Sequence, residues 1–253
     1  MGYERLKQRD VYDDIINAKR DGFSVDFGWT LPFGREYKFI AEYKDEAVKE
    51  DTESPRVGYI NRTLSGAYIY DGLRSYEQTN VIRSGQLFKF KYERGGLFKF
   101  FNAWEFHLGE TDIERVDLSY NYFLPLTAKG NLGVHYQYGA AATDRNRNVL
   151  EGDEYSVGGI NSVRGYHDGY PFAIGSKQTI INLEYRYLFN PKFQGVLFYD
   201  WGNAYDDINV SVKEFKSGYG FGCRYILPVG PLSFDLGRGE KFWIFHFGLG
   251  YSF

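Results

Sequence analysis

The sequence predicts an all-β chain, an antiparallel transmembrane β-barrel of about 12 strands. Three observations predict it. Apolar and polar residues alternate with period two along most of the 253 residues, the pattern of β-strands. The apolar positions draw on 23 Tyr, 22 Phe and 4 Trp, while the polar positions carry Gly and charges of both signs. Short connections alternate with long polar ones, the arrangement of outer-membrane barrels, and aromatic rings suit the membrane interfaces.

Composition sets the outer bounds. Mean hydropathy is −0.45 and charged residues make up 25% of the chain, so it lacks the apolar run of about 20 residues that a membrane helix needs. A barrel is untouched by that test, because half of each strand is polar. The net charge of −3 argues against nucleic acid as a partner, which calls for a basic face. The single cysteine, Cys223, excludes an intramolecular disulfide. It shares parity with Phe221 and Tyr225, so it is expected as a small lipid-facing or buried residue. The charged start, "MGYERLKQRD", has no apolar core of a secretory signal, and a mature form or a fragment is expected.

Taken from the N-terminus, "YERLKQRDVYDD" is the weakest strand, and a short helix over "DVYDDIINAKRDG" competes with it. "GFSVDFGWTLPFG" follows, with Phe23, Val25, Phe27, Trp29 and Leu31 on one face. "REYKFIAEYKD" places Tyr37, Phe39, Ala41 and Tyr43 together, opposite Glu36, Lys38 and Glu42. "LSGAYIYDG" and "QLFKFKYERG" fit the same pattern, and the segment from Gly95 to Gly109 either extends a strand or forms another hairpin. "RVDLSYNYFLPL" presents Val116, Leu118, Tyr120 and Tyr122; "NLGVHYQYG" presents Leu132, Val134, Tyr136 and Tyr138. "TIINLEYRYLF" puts Ile181, Leu183, Tyr185 and Tyr187 opposite Asn182, Glu184 and Arg186. "SGYGFGCRYILP" puts Tyr219, Phe221, Cys223 and Tyr225 opposite Gly218, Gly220, Gly222 and Arg224. "PLSFDLGRG" sets Leu232, Phe234 and Leu236 against Ser233, Asp235 and Gly237. "FWIFHFGLGYSF" ends the chain with Trp243, Phe245, Phe247, Leu249, Tyr251 and Phe253 on one face. Each strand is expected near the 9–11 residues that span a membrane.

"LPFGRE", "LPLTAKGN", "LFNPKF" and "LPVGPL" are the short turns. The long connections include "DEAVKEDTESPRVGYINR", "AATDRNRNVLEGDEY" and "DDINVSVKEF", with "RSYEQTNVIRSG" as a longer turn on the short side. Alternation alone also fits a soluble β-sandwich; the aromatic faces, the Gly-rich charged faces and the loop asymmetry favour the barrel.

From Leu64 to Phe253 the ordered motifs "GAYIYDGLRS", "SGQLFKF", "SVGGINSVRGY", "INLEYRY", "LFYDWGNAY" and "GYGFGCRYILPVGPLSFDLG" resemble the C-terminal barrel of the BamA/TamA family of outer-membrane assembly and translocation proteins. The Val-Arg-Gly-Tyr core, Val163 to Tyr166, is the most diagnostic piece; residues 22–60 carry no specific motif. The resemblance implies that the loop holding Val163, Arg164, Gly165 and Tyr166 folds back into the lumen, where Arg164 pairs with Glu184 and Asp200. Parity agrees, since both acids point away from their apolar neighbours. Read without the flanking motifs, Arg164 is an ordinary exposed loop arginine and the acids are solvated, since surface ion pairs are the commoner case. A paired guanidinium can bridge two carboxylates, and Gly165 allows tight approach to the wall.

The C-terminal "HFGLGYSF" resembles an outer-membrane assembly signal, carried by His246, Gly248, Gly250, Tyr251 and Phe253. In the family this strand forms a weak seam with the first one, and lateral opening there would template incoming strands by β-augmentation. A family barrel has about 16 strands preceded by periplasmic polypeptide-transport domains. Here one barrel domain over residues 1–253 is expected, without those domains, either truncated at the N-terminus or naturally short.

No catalytic or metal-ligand motif stands out. His107, His135, His167 and His246 have no metal spacing, and His135 and His246 fall on polar faces. Asp13/Asp14 and Asp206/Asp207 lack a partner base, and Ser162 is not in a nucleophile elbow. The expected protein is not an enzyme and uses no cofactor. The resemblance implies that it sits integrally in the bacterial outer membrane and inserts barrel proteins there. Its expected partners are the lipid bilayer, unfolded outer-membrane proteins and periplasmic accessory proteins. A translocation pore for a secreted partner or a patatin-type passenger, and a passive porin, are the alternatives.

Overall fold

A computed structural model describes residues 4–9, 15–31, 34, 36–50, 59–77, 79–100, 104–109, 112–142, 154–168, 171–207, 210–228 and 230–250. The strands are β1 (Glu4–Arg9), β2 (Ile15–Thr30), β3 (Tyr37–Glu50), β4 (Tyr59–Asp71), β5 (Arg74–Ser75), β6 (Ile82–Phe100), β7 (Trp104–Leu108), β8 (Glu114–Pro125), β9 (Gly130–Ala142), β10 (Tyr155–Val157), β11 (Ala173–Gly175), β12 (Lys177–Asn190), β13 (Phe193–Tyr205), β14 (Lys216–Leu227), β15 (Gly230–Arg238) and β16 (Trp243–Leu249). The main sheet runs β1-β2-β3-β4-β6-β8-β9-β12-β13-β14-β15-β16, with β5 and β7 paired onto β6. Each long strand therefore bonds to the next long strand in the chain, an up-and-down meander. β10 and β11 pair separately. No helix among the described residues is long and apolar enough to cross a membrane.

Several expectations need correction. Ile15–Arg20 is strand, paired with β1 from Arg9↔Ile15 to Glu4↔Arg20, so the helical alternative fails where the chain is described; Asp10 to Asp14 lie outside the described residues. Some strands run well beyond the expected length, with 16 residues in β2 and 19 in β6, while β15 keeps to it with 9. Hairpins can continue past the bilayer because each strand satisfies its neighbour's backbone groups whatever the solvent. The segment from Gly95 to Gly109 does both things the sequence allowed: β6 runs on to Phe100, and β7 returns along it from Trp104. The longer turn near residues 74–85 contains β5, folded back on Ser84 and Ile82. The last described strand ends at Leu249; Tyr251 and Phe253 lie outside the described residues.

The described residues fall into two contact units. The first comprises residues 1–69, 90–117 and 140–154. Within it Val25 lies opposite Tyr43 and Trp29 opposite Phe39. Phe27, Trp29 and Phe39 form a ring ladder with centroids 6.1–6.4 Å apart, and all three are exposed. The other face is ionic. Glu42 accepts from Lys91 Nζ at 2.7 Å and from Ser65 Oγ at 3.1 Å, and Glu93 accepts from Thr63 Oγ1 at 2.7 Å.

The second unit comprises residues 70–89, 118–139 and 155–253. Its strands invert the burial of a soluble protein. On β13, Leu197 is 59% exposed while Asp200, on the other parity, is 0% exposed. Phe221, Phe245 and Phe247 are exposed; Gln178, Glu184, Arg186, Gln194, Arg224 and Asp235 are buried. A water-facing surface would not collect these rings, and an apolar core would not collect these charges. The aromatic face is a lipid face, and this separates the barrel from the sandwich. Cys223 lies half-buried on the same parity as Phe221.

Placing a charge on that face tests the assignment. Leu197→Lys should lower the unfolding free energy in lipid vesicles by about 2–4 kcal/mol, measured by urea titration. An unchanged midpoint would mean that Leu197 does not face hydrocarbon.

Candidate functional site

The second unit carries a long excursion, described over residues 158–168 and 171–172 and pinched at its base by β10 and β11. Val157 pairs with Ala173, and Phe172 N–H donates to Val157 O at 3.0 Å. Inside this neck Val157, Val163, Ile180 and Ala204 form a small apolar core, joined by Tyr166, Phe172 and Ala173. The turn behind it is tied by Gly158 N–H to Ser162 Oγ at 2.8 Å and by Gly159 N–H to Val163 O at 3.0 Å. Asn182, on β12, donates to Ser162 O at 2.6 Å. The excursion is thus packed onto the polar face of its own unit.

At its centre Arg164 is 1% exposed. Its Nε and Nη2 donate to the two oxygens of Asp200 at 2.7 and 2.8 Å, a forked pair. Its backbone N–H adds a third bond to Asp200 at 3.0 Å. Nη1 donates to Glu184 Oε1 at 2.6 Å and reaches Asp235 Oδ2 at 3.3 Å. The guanidinium also lies over the Phe198 ring, 3.6 Å from its centroid. Two further arginines complete the cluster. Arg186 Nε donates to Glu184 Oε2 at 2.6 Å, and Arg224 holds Asp235 with Nη1 at 2.5 Å and Nη2 at 3.0 Å. Three guanidinium groups and three carboxylates leave the cluster neutral, so each charge taken out of water has an opposite charge beside it. Burial alone would lower the Arg164 pKa, but the facing carboxylates of Glu184 and Asp200 outweigh it and hold the guanidinium above its ordinary value.

The backbone around Arg164 fits because the wall beneath it has no side chains. Gly165 takes φ +92°, which favours glycine. A Cβ at Gly237 would lie 2.7 Å from Gly165 N, and one at Gly239 2.6 Å from Gly165 O. One at Gly218 would overlap the Arg164 carbonyl oxygen. These glycines make a trough along β14, β15 and the residue just past β15, and the loop lies in it. Tyr166 packs on Phe172 with centroids 4.4 Å apart and donates its hydroxyl to Ser217 O at 3.3 Å.

The geometry therefore joins Val163, Arg164, Gly165 and Tyr166 to Glu184 and Asp200. It also brings in His246, whose ring lies under the loop and accepts from Gly165 N–H at 3.1 Å. Gly248 lies beneath Ile160 of the loop, and Gly250 takes φ +101° just past β16, its N–H bonded to Pro231 O at 2.8 Å. Sequence reasoning missed Asp235, Arg186 and Arg224 as partners. Their polar parity was visible, but not the register that aligns Gly222, Asp235 and His246 in one row. Asp168, which accepts from His246 Nδ1 at 3.0 Å, carried no motif signal. Among the described residues no group of three or more His, Cys, Asp or Glu side chains is placed to hold a metal ion.

A lipid-facing aromatic surface, a charged inner face and a loop seated on that face define an integral outer-membrane β-barrel. The chain belongs to the Omp85 superfamily, whose domain matches residues 6–253. It is 28% identical over 167 residues to the outer membrane protein assembly factor BamA of Nitratidesulfovibrio vulgaris, covering 59% of this chain and 21% of that protein. It is 31% identical over 110 residues to the chloroplastic outer envelope protein 80 of Arabidopsis thaliana, covering 39% of this chain and 15% of that one. The chain thus spans about a fifth or less of the length of these two relatives. In fold it matches BamA from Haemophilus ducreyi lacking POTRA domains 1–3, with TM-score 0.74 at 14% identity over 98% of this chain and 56% of that one. CdiB from Acinetobacter baumannii matches with TM-score 0.61 at 14% identity over 92% and 42%.

The trough makes a direct prediction. Arg164–Gly165 is a tryptic bond shielded by its burial. Gly218→Ala should unseat the loop and speed trypsin cleavage there at least about tenfold, an opening free energy lowered by about 1.4 kcal/mol or more. Equal resistance in a folded variant would show that the trough does not hold the loop.

Proposed function

We propose that this chain is the barrel of an outer-membrane assembly factor that helps other β-barrel proteins fold into the bilayer. The observation that carries this reading is the seated loop. Its neutral buried cluster closes over the polar face of the second unit, which disfavours a permanently open pore and supports a device that handles polypeptide. The 167-residue similarity to an assembly factor points the same way. Under this reading the partners are the bilayer, unfolded outer-membrane proteins and periplasmic accessory proteins, and the barrel performs no bond chemistry. The last strand, β16, would meet incoming strands by backbone pairing. The Arg164 cluster would act as a strut that keeps the loop in place meanwhile.

The test is reconstitution of the full chain in lipid vesicles. An unfolded outer-membrane barrel protein added outside should fold several-fold faster than into empty vesicles, followed by its gel-mobility shift. Arg164→Ala should remove most of that gain. A translocation pore would instead deliver added polypeptide to the vesicle interior, protected from protease. A porin would show a large steady conductance and no acceleration. Either of those outcomes overturns the assembly reading.

A further inference from the structure

The loop is fastened to β16 as well as to the acids of β12, β13 and β15. His246 is 1% exposed and uses both ring nitrogens. Nε2 accepts from Gly165 N–H at 3.1 Å, so the ring carries its proton on Nδ1, which donates to Asp168 Oδ2 at 3.0 Å. The other oxygen of Asp168 accepts from Ile160 N–H at 2.6 Å, so the carboxylate also ties the two shoulders of the loop together. Ile160 in turn rests on β16, where a Cβ at Gly248 would lie only 2.9 Å from Ile160 Cδ1. Two successive inward positions of β16, His246 and Gly248, are thus occupied by the loop. Gly165 directly follows Arg164, so the same peptide segment is bonded to Asp200 on one side and to His246 on the other.

We propose that His246 and Asp168 form a clasp that couples the pairing of β16 with β15 to the seating of the Arg164 loop. β16 lies at one end of the strand order and, among the described residues, bonds to β15 through seven residue pairs from Leu232↔Leu249 to Arg238↔Trp243. A ladder of seven pairs is short, and a short terminal strand opens locally at low free energy. The clasp adds side-chain bonds from the middle of β16 to a loop that is itself anchored by buried charge. Peeling β16 from β15 then carries His246 away from Gly165, and unseating the loop removes the acceptor and the donor that hold His246. A cavity of about 530 Å³ lined in part by Ile160, Ser162, Asp168, Gln178 and Phe247 adjoins the clasp. His246 is a positioning residue in this scheme. Its consequence for assembly rests on the reading above, but the coupling does not.

The experiment is amide hydrogen exchange on the full chain in lipid vesicles, read separately for residues 158–168 and 243–249. Arg164→Ala, which loosens the loop, should speed exchange across β16 by about tenfold. In a His246→Ala or an Asp168→Asn background, the same Arg164→Ala change should leave β16 exchange unaltered. Asp168 is about half exposed, so its variant keeps the test alive if His246→Ala does not fold. His246→Gln, which keeps an acceptor near Gly165, should restore part of the response, whereas His246→Leu should not. If β16 responds to Arg164→Ala equally with and without the clasp residues, or not at all in the wild type, the coupling is wrong. Because the readout is exchange, its failure is distinguishable from a failure to accelerate folding of added barrel proteins.

Discussion

One buried guanidinium organises the second unit. Arg164 sits against Asp200, Glu184 and Asp235, which come from three strands, and the Asp200 carboxylate above all would be costly on the inner face without it. Arg186 and Arg224 share the remaining negative charge, so the cluster is neutral and internally bonded. Breaking such a pair by removing one member costs about 3–5 kcal/mol, because the other member stays buried. Such ion pairs stabilise a fold weakly compared with apolar packing of the same volume. Their value here is positional: a forked guanidinium on Asp200 admits one loop placement, and a shifted loop would leave charges unpaired.

The rest of the site follows from that constraint. For the guanidinium to reach β13 and β15, the backbone of the loop must lie directly on the wall. Gly218, Gly237 and Gly239 supply the space, and Val163 fills the apolar niche beside Ile180 and Ala204. The outward surface answers a separate demand. Its rings pack on one another along the surface, as Phe221 does on Trp243 and Phe247 on Phe234, and their exposed faces are stable because hydrocarbon replaces water around them.

Much of this was legible in the alternation. Parity placed Leu183, Phe221 and Phe245 on one face and Glu184, Asp200 and Asp235 on the other, and burial divides them the same way. Gly218, Gly220 and Gly222 stood out as a bare stripe on β14, although nothing in the sequence said what would lie on it. The register was not legible. Parity cannot tell that Asp235 lies beside His246 and Gly222, and so cannot show that Asp235 and Arg224 belong to the same cluster as Arg164. Loop geometry was also out of reach, because Asp168 meets His246 from 78 residues away and neither belongs to a periodic pattern with the other. At the N-terminus, Ile15–Arg20 has short-range features of both helix and strand, and its pairing with β1 decides between them.

The central claim is that Arg164 and Asp200 act as one unit in holding the loop. A double-mutant cycle on Arg164→Ala and Asp200→Ala, followed by urea unfolding in lipid vesicles, measures this directly. The account predicts a coupling free energy of about 2–3 kcal/mol between the two sites. Additive losses, with coupling below about 0.5 kcal/mol, would contradict it.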